Sequence, residues 1–207
     1  MQAAIESVNR YLSVGRQKIM TATDTKQTIL EAARRVVQAR GYNALSFREL
    51  AKEVGIKSAS IHYHFPTKGD LGAALAKRYT EDTVGYLEQL LTQSQDPAAM
   101  MDAYTAAFRA ALENDNRMCL CGILAAEHHD LPAEVRVEVD GFTDANVLWL
   151  GKVLALKQPE AQAESLQRQA LSVFAAIQGA QLVSRGRNDI AVYDQMIESY
   201  RAAGLIP

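Results

Sequence analysis

Proline and cysteine are both scarce in this 207-residue chain, at five and two residues. Few prolines leave long stretches free to run as helix, since each would remove an N–H donor and clash with the preceding turn. Cys119 and Cys121, one residue apart, cannot form a disulfide scaffold. No apolar run approaches the roughly 20 residues that span a bilayer. The opening segment MQAAIESVNRYLSVGRQKIM lacks the apolar stretch and small-residue cleavage site of a signal peptide. A cytoplasmic protein with reduced thiols and no membrane partner is expected. Also missing are a Gly-rich phosphate loop, a G-x-S-x-G elbow and an H-E-x-x-H pair. Glu127 and His128 are helix neighbours that face different ways, so they do not converge on one substrate. No catalytic residues, no cofactor and no enzyme activity are expected.

A net charge is lacking too, with 22 basic against 24 acidic residues. The balance is uneven along the chain, however. Residues 24–80 carry ten Lys or Arg against five Asp or Glu, and residues 81–207 carry nine against eighteen. A basic first part joined to an acidic remainder is the asymmetry of a nucleic-acid head on a non-binding body.

The motif that explains the basic part is SFRELAKEVGIKSASIHYHFPTKGDL, residues 46–71. Ser46 and Glu49 have capping-box spacing for a short helix, with Leu50, Ala51 and Val54 on one face. Gly55 suits the left-handed turn that ends it. Ser58 is expected to cap a second short helix, SASIHYHF, closed by Pro66. Two helices joined by a short Gly-containing turn form the helix-turn-helix that reads the DNA major groove. Ala59 and Ser60 are small enough for close backbone approach. Ser60, His62, Tyr63 and His64 offer polar groups to bases and phosphates, and Lys57 and Lys68 bracket the helix with positive charge. Thr67 and Asp70 form a second capping box, placing free N–H groups beside Lys68 as a phosphate clamp. Ile61 and Phe65, four apart, read as core. The candidate DNA contacts are Ser46, Lys57, Ser58, Ala59, Ser60, His62, Tyr63, His64 and Lys68.

The run Tyr63-His64-Phe65-Pro66-Thr67-Lys68, followed by Leu71, resembles the hallmark of the TetR family of one-component regulators. Ile29-Leu30-Glu31-Ala32-Ala33 through Gly41-Tyr42 to Leu50-Ala51 resembles that family's first helix and its approach to the motif. The resemblance covers roughly residues 24–75. Two departures bear on operator choice: Lys57-Ser58-Ala59-Ser60 stands where members often have Ser-Lys-Gly-Thr, and His62 where tyrosine is commoner. The resemblance implies an all-α protein with an N-terminal three-helix DNA-binding head and a larger helical body for ligand binding and dimerisation. It implies double-stranded operator DNA, a small-molecule inducer and a second copy of the chain as partners.

The expected division is an N-terminal extension at 1–22, a helix-turn-helix domain at 23–70 and a helical body at 71–207. The extension is expected to pack poorly, since Ile5, Val8 and Leu12 give only one short apolar stripe; a basic DNA-contacting arm of Arg10, Arg16 and Lys18 and a mis-set translation start are the alternatives. A continuous helix at 68–92 links head to body. Further helices are expected from Pro97 to about Glu113, from Pro132 to Leu156, from Pro159 to Ser184 and from Asp189 to Ala203, with a short apolar segment at Cys119–His129.

In the body, Leu166, Ala170, Val173, Phe174, Ile177, Tyr193, Ile197 and Tyr200 are the expected dimer surface, with intrachain core as the alternative for part of the set. A pocket is expected from Met100, Tyr104, Phe108, Leu120, Ile123, Leu124, Phe142, Trp149 and Phe174. Cys119, near Arg117 and a helix start, is a candidate sensor thiol, against inert buried cysteines. The spacing C-x-C-x6-H-H matches no compact metal framework, so no metal site is assigned. The expected function is a ligand-responsive repressor released from a palindromic operator. A thiol-based electrophile-sensing repressor is the alternative, and a helical adaptor or enzyme the remote one.

Overall fold

Helix follows helix along the described part of the chain, residues 22–207 of the computed structural model. The expected arm residues Arg10, Arg16 and Lys18 lie outside the described residues. We number the α-helices α1 (Ala22–Arg40), α2 (Phe47–Val54), α3 (Ser58–His64), α4 (Lys68–Gln93), α5 (Pro97–Glu113), α6 (Leu120–Ala126), α7 (Ala133–Lys157), α8 (Ala163–Arg187) and α9 (Ile190–Ala202). Short 3-10 turns at Tyr42–Ala44 and His128–Asp130 precede α2 and α7.

α1 starts with Asp24 in its first turn and ends with Arg40 in its last, charges that complement the helix dipole. Ile29, Ala32, Ala33 and Val37 are its fully buried face. It stops at Gly41, whose φ of 83° and ψ of 173° lie in a region essentially reserved for glycine. The Gly41 N–H still donates to the Val37 carbonyl at 2.8 Å.

α2 opens on half a capping box. Ser46 Oγ accepts from the Glu49 N–H at 3.4 Å, but the Glu49 carboxylate is drawn to Lys52 Nζ at 2.9 Å instead of turning back. Gly55 ends the helix in the left-handed conformation, φ 75°, and the Ile56 N–H closes the turn on the Ala51 carbonyl at 2.9 Å. The cap of α3 is Lys57, not Ser58. Lys57 is extended, and its carbonyl accepts from the Ser60 N–H at 2.9 Å, so Ser58 already lies in the first turn, where its side chain has no cap to make. α4 carries the full reciprocal box: the Asp70 N–H donates to Thr67 Oγ1 at 3.0 Å, and the Thr67 N–H to Asp70 Oδ2 at 2.9 Å.

α4 continues unbroken from the helix-turn-helix into the body and packs along α7, which packs on α8. Trp149 pins α7 to α4 by donating from Nε1 to the Leu87 carbonyl at 2.8 Å. Asp96 caps α5, with Pro97 in its first turn, as expected. Pro159 does not open α8. Gln158 caps the end of α7 and its carbonyl accepts from the Ala161 N–H at 3.0 Å, so residues 158–162 form a turn and α8 begins at Ala163. α8 also runs through Ser184 to Arg187 before Asn188 ends it with a left-handed φ of 52°. α9 is fastened to α5 by Arg109 Nε and Nη2 on Asp194, at 2.7 and 3.0 Å, and by an Arg201–Asp102 pair.

A β-carbon at Gly41 would fall 2.0 Å from Glu127 Oε1. Gly41→Ala therefore combines backbone strain with displacement of a hydrogen-bonded carboxylate, and a loss of about 2–4 kcal/mol in urea unfolding is expected.

Candidate nucleic-acid interface and ligand cavity

α3 sits on α2 through Ile61 and Phe65, both essentially buried, which turns its other side outward. Tyr63 is 80 % exposed, the most solvent-open of the large apolar side chains, and meets His64 edge-on at 5.2 Å. His62 lies edge-on to Phe47 at 4.7 Å. Lys57, Ala59 and His62 are exposed, and Ser58, Ser60 and His64 half-buried on the same short helix. Ser46 spends its hydroxyl oxygen on the α2 cap. Arg48, exposed in the first turn of α2, adds a charge that the motif-based reading passed over.

Lys68 does not stand free at the start of α4. Its ammonium rests 4.4 Å from the centroid of the Tyr42 ring and donates to the Asn43 carbonyl at 3.4 Å. Partial burial lowers its pKa, opposed by Glu127. Burial, with Glu134 nearby, pushes the Tyr42 phenol up to about 12. Lys68 is thus part of the junction between the first three helices and the rest.

That junction is built on the end of α1. A helix leaves its last carbonyls without intrahelical partners, and here Arg185 of α8 takes two of them: Nη1 donates to the Gln38 carbonyl at 2.7 Å and Nη2 to the Ala39 carbonyl at 2.9 Å. The buried Gln38 side chain donates to the Met118 carbonyl at 2.8 Å. Beyond the helix end, the Tyr42 N–H donates to Glu127 Oε2 at 2.5 Å, and Asn43 Nδ2 to Asp130 Oδ2 at 2.7 Å.

Next to the junction lies a cavity of about 150 Å³. α1 supplies Arg34 and Gln38, α4 supplies Tyr79, Asp82 and Tyr86, and α5 and α7 supply Tyr104, Phe108 and Phe142. Arg117 and Cys119, from the segment before α6, close one side. Most polar lining atoms are already engaged. The Tyr104 hydroxyl donates to Asn146 Oδ1 at 2.9 Å, the Tyr86 hydroxyl to the Ala103 carbonyl at 3.0 Å, and Gln181 spans the Cys119 N–H and the Phe108 carbonyl.

Three of the expected pocket residues, Tyr104, Phe108 and Phe142, line this cavity. Met100, Leu120, Ile123, Leu124, Trp149 and Phe174 do not. Trp149 stacks behind Tyr104 at 5.0 Å and Phe174 lies behind Phe142 at 6.2 Å, so these two form a second layer. Met100, Leu120 and Leu124 are core, and Ile123 packs against it. The polar wall, Arg34, Gln38 and Arg117, was missed. Its one sequence signal is the four-residue recurrence of Leu30, Arg34 and Gln38, a stripe that turns polar toward the helix end.

The expected dimer surface is corrected more sharply. Leu166, Ala170, Val173, Phe174, Ile177, Tyr193 and Ile197 are buried within the single chain, the intrachain-core alternative, while Tyr200 packs against the same core half-buried. α8 has a second apolar face instead: Leu171 and Val183 are exposed, and Leu182 is 54 % exposed. On α7, Leu148 and Leu156 are also exposed.

Both thiols are 2 % exposed. Cys119 caps the start of α6 as expected of a residue near a helix start, but Gln178 Nε2 points at its sulfur from 3.5 Å. Burial pushes the Cys121 thiol well up, and the neighbouring Cys119 adds to the shift. Cys121, buried with a raised pKa, is inert, and Cys119 is buried to the same extent.

A family model described as bacterial regulatory proteins, tetR family, matches residues 29–75. A TetR transcriptional regulator from Legionella pneumophila superposes with a TM-score of 0.81 at 28 % identity, over 92 % of this chain and 100 % of that one. A TetR-family regulator from Agrobacterium tumefaciens gives 0.77 at 28 % identity, over 85 % and 95 %. In sequence, the chain is 26 % identical to the transcriptional activator FasR of Mycolicibacterium smegmatis, over 72 % of this chain and 68 % of that protein. It is 30 % identical to the HTH-type regulator YxaF of Bacillus subtilis over 48 % of its length, and that match spans about half of YxaF.

The burial of the thiols sets an expectation for their chemistry. In the native protein at pH 8, neither cysteine should react with a soft aromatic disulfide reagent within minutes, whereas both should react at once in denaturant. Fast native labelling of Cys119, followed by mass spectrometry, would reverse this assignment.

Proposed function

We propose that this chain, which belongs to the TetR family of bacterial transcriptional regulators, is a homodimeric repressor that a small molecule releases from a palindromic operator. The observation that carries this reading is the cavity wall: Arg34 and Gln38 of α1 face the same space as residues of α4, α5 and α7. A ligand held there touches the DNA-reading part directly. In this reading residues up to about 70 are the head and the rest is the body, and the protein works in the cytoplasm without catalysis.

The physical chain runs from cavity to groove. Gln38 links the cavity to the Met118 carbonyl, and the same turn of α1 is held by Arg185. α1 packs on α2, and α2 on α3, so a shift of α1 carries the reading helix with it. In a dimer the two reading helices must sit about 34–36 Å apart to enter successive major grooves. A ligand that tilts both heads spoils that spacing for both at once. To move the population from 99:1 to 1:99, it must favour the released form by about 10⁴-fold.

We assign the second copy to the outer face of α8. Leu171, Ala175, Gly179 and Leu182 recur along one side of that helix, with Val183 beside them and Leu148 and Leu156 of α7 also exposed. Exposed leucines at helical spacing, broken by small residues that let helices approach, suit a helix-to-helix contact. On α9, Asp194 and Arg201 are spent on α5.

Two results test the proposal. Lys57→Ala should weaken binding to selected and random DNA about equally and lower the salt slope by about one unit, measured by fluorescence anisotropy on duplexes selected from a random pool. Tyr63→Ala should instead change which sequence is selected; an unchanged preference would move the reading surface elsewhere.

For assembly, Leu182→Glu should give a folded monomer with little operator affinity in analytical ultracentrifugation. Ile177→Glu should fail to fold, because an unpaired charge in the core costs about 3–5 kcal/mol. A dimeric Leu182→Glu protein would place the interface on another face.

A further inference from the structure

We infer that the cavity takes an organic anion, a carboxylate attached to a single ring, with the carboxylate held by Arg34 and Arg117. The inference rests on the cavity being the ligand site proposed above, and adds the charge and size of what enters it.

Among the described residues, the two cationic groups of the cavity meet no anion at close range. Arg117 is 19 % exposed at its side chain, and its one ion contact among the described residues is a distant 3.9 Å approach to the exposed Asp115. Its Nε is buried without a hydrogen-bond partner. Arg34 donates from Nε to the neutral Gln38 Oε1 at 3.2 Å, and its guanidinium lies 4.7 Å from the Tyr79 ring centroid. Among the described residues, no carboxylate is within salt-bridge distance of it. The lining holds one acid, Asp82, and that is taken by Arg78 Nε at 2.8 Å. The cavity therefore carries two arginines and no free carboxylate.

A half-buried guanidinium with an unsatisfied Nε and only a 3.9 Å ion contact gains from an anion that reaches it closely. Arginine presents a planar fork of donors matched to the two oxygens of a carboxylate. A neutral ligand would leave that demand unmet, and a cation would add to the repulsion.

The remaining walls define the rest of the ligand. Tyr104 and Tyr86 have their hydroxyls committed to Asn146 and the Ala103 carbonyl. With Phe108 and Phe142, they leave ring surfaces to face the cavity. Aromatic rings prefer offset or edge contacts with other rings. A volume of about 150 Å³ is the size of cavity that holds one benzene ring. The same ligand then bridges Arg34 on α1 and Arg117 beside Met118, the two sides already joined through Gln38.

The test uses the full chain, isothermal titration calorimetry and three ring compounds that differ in charge. Benzoate should bind at least about tenfold more tightly than benzyl alcohol, and benzylamine should not bind. Arg117→Gln and Arg34→Gln should each lower benzoate affinity about tenfold and leave benzyl alcohol within twofold. Circular dichroism checks the fold of both variants, and Arg34→Gln carries the test if Arg117→Gln does not fold. Equal binding of benzyl alcohol and benzoate, benzoate affinity indifferent to the substitutions in a folded variant, or no benzoate binding would each overturn the inference. Anisotropy on selected DNA separates the two layers: benzoate that binds through the arginines without releasing DNA upholds the anion site and overturns its role as the inducer site.

Discussion

The last turn of α1 is held by the body, and the other features of the molecule take their meaning from that constraint. Arg185 occupies the Gln38 and Ala39 carbonyls, and Glu127 occupies the Tyr42 N–H. Charge-assisted hydrogen bonds of this kind contribute about 1.5–3 kcal/mol each. Gly41 makes the arrangement possible, because a side chain there would occupy the space of the Glu127 carboxylate. α1 also packs on α6, and Gln38 reaches the Met118 carbonyl, so these contacts reinforce a second connection beside α4. With them, the reading helices have two attachments, and motion between them is set by both.

In the proposed reading, this double attachment gives the cavity its leverage. A ligand held only among α5, α7 and α8 would have to act through α4 at a distance. The cavity instead has a wall on α1 itself, one turn before the junction, and a wall on the segment that leads into α6. In the proposed reading, Arg117 and Gln38, both of which line the cavity, connect the ligand to the head. Sub-ångström changes there are passed on because packed interfaces switch between arrangements more readily than they deform.

The sequence made the local signals legible and left the distant ones hidden. Thr67 with Asp70 and Asp96 with Pro97 placed helix starts correctly, because a cap is decided within four residues. Ser58 misled for the same local reason: a good cap residue stood one position inside a helix whose turn already had an extended Lys57. Pro159 likewise looked like a helix start but lies in the turn after α7. Periodicity picked out Val173, Phe174 and Ile177 on α8, yet it cannot say which of two apolar faces meets the same chain. The stronger stripe became the core, and the weaker one, Leu171 to Leu182, stayed outside. Aromatic content found Tyr104, Phe108 and Phe142. It could not find Arg34 with Arg117, or Arg185 with Gln38, since those partnerships join residues far apart along the chain.

The most direct test of the central claim is native-state hydrogen exchange on the full chain and on Arg185→Ala. The amides of α1's last turn and of Tyr42 should lose at least about tenfold protection in the variant, a change of about 1.4 kcal/mol. The amides of the α4–α7 core should keep theirs. Equal protection at Gln38–Tyr42 in the two proteins would contradict the account, showing that the end of α1 is held by α4 and its own packing alone.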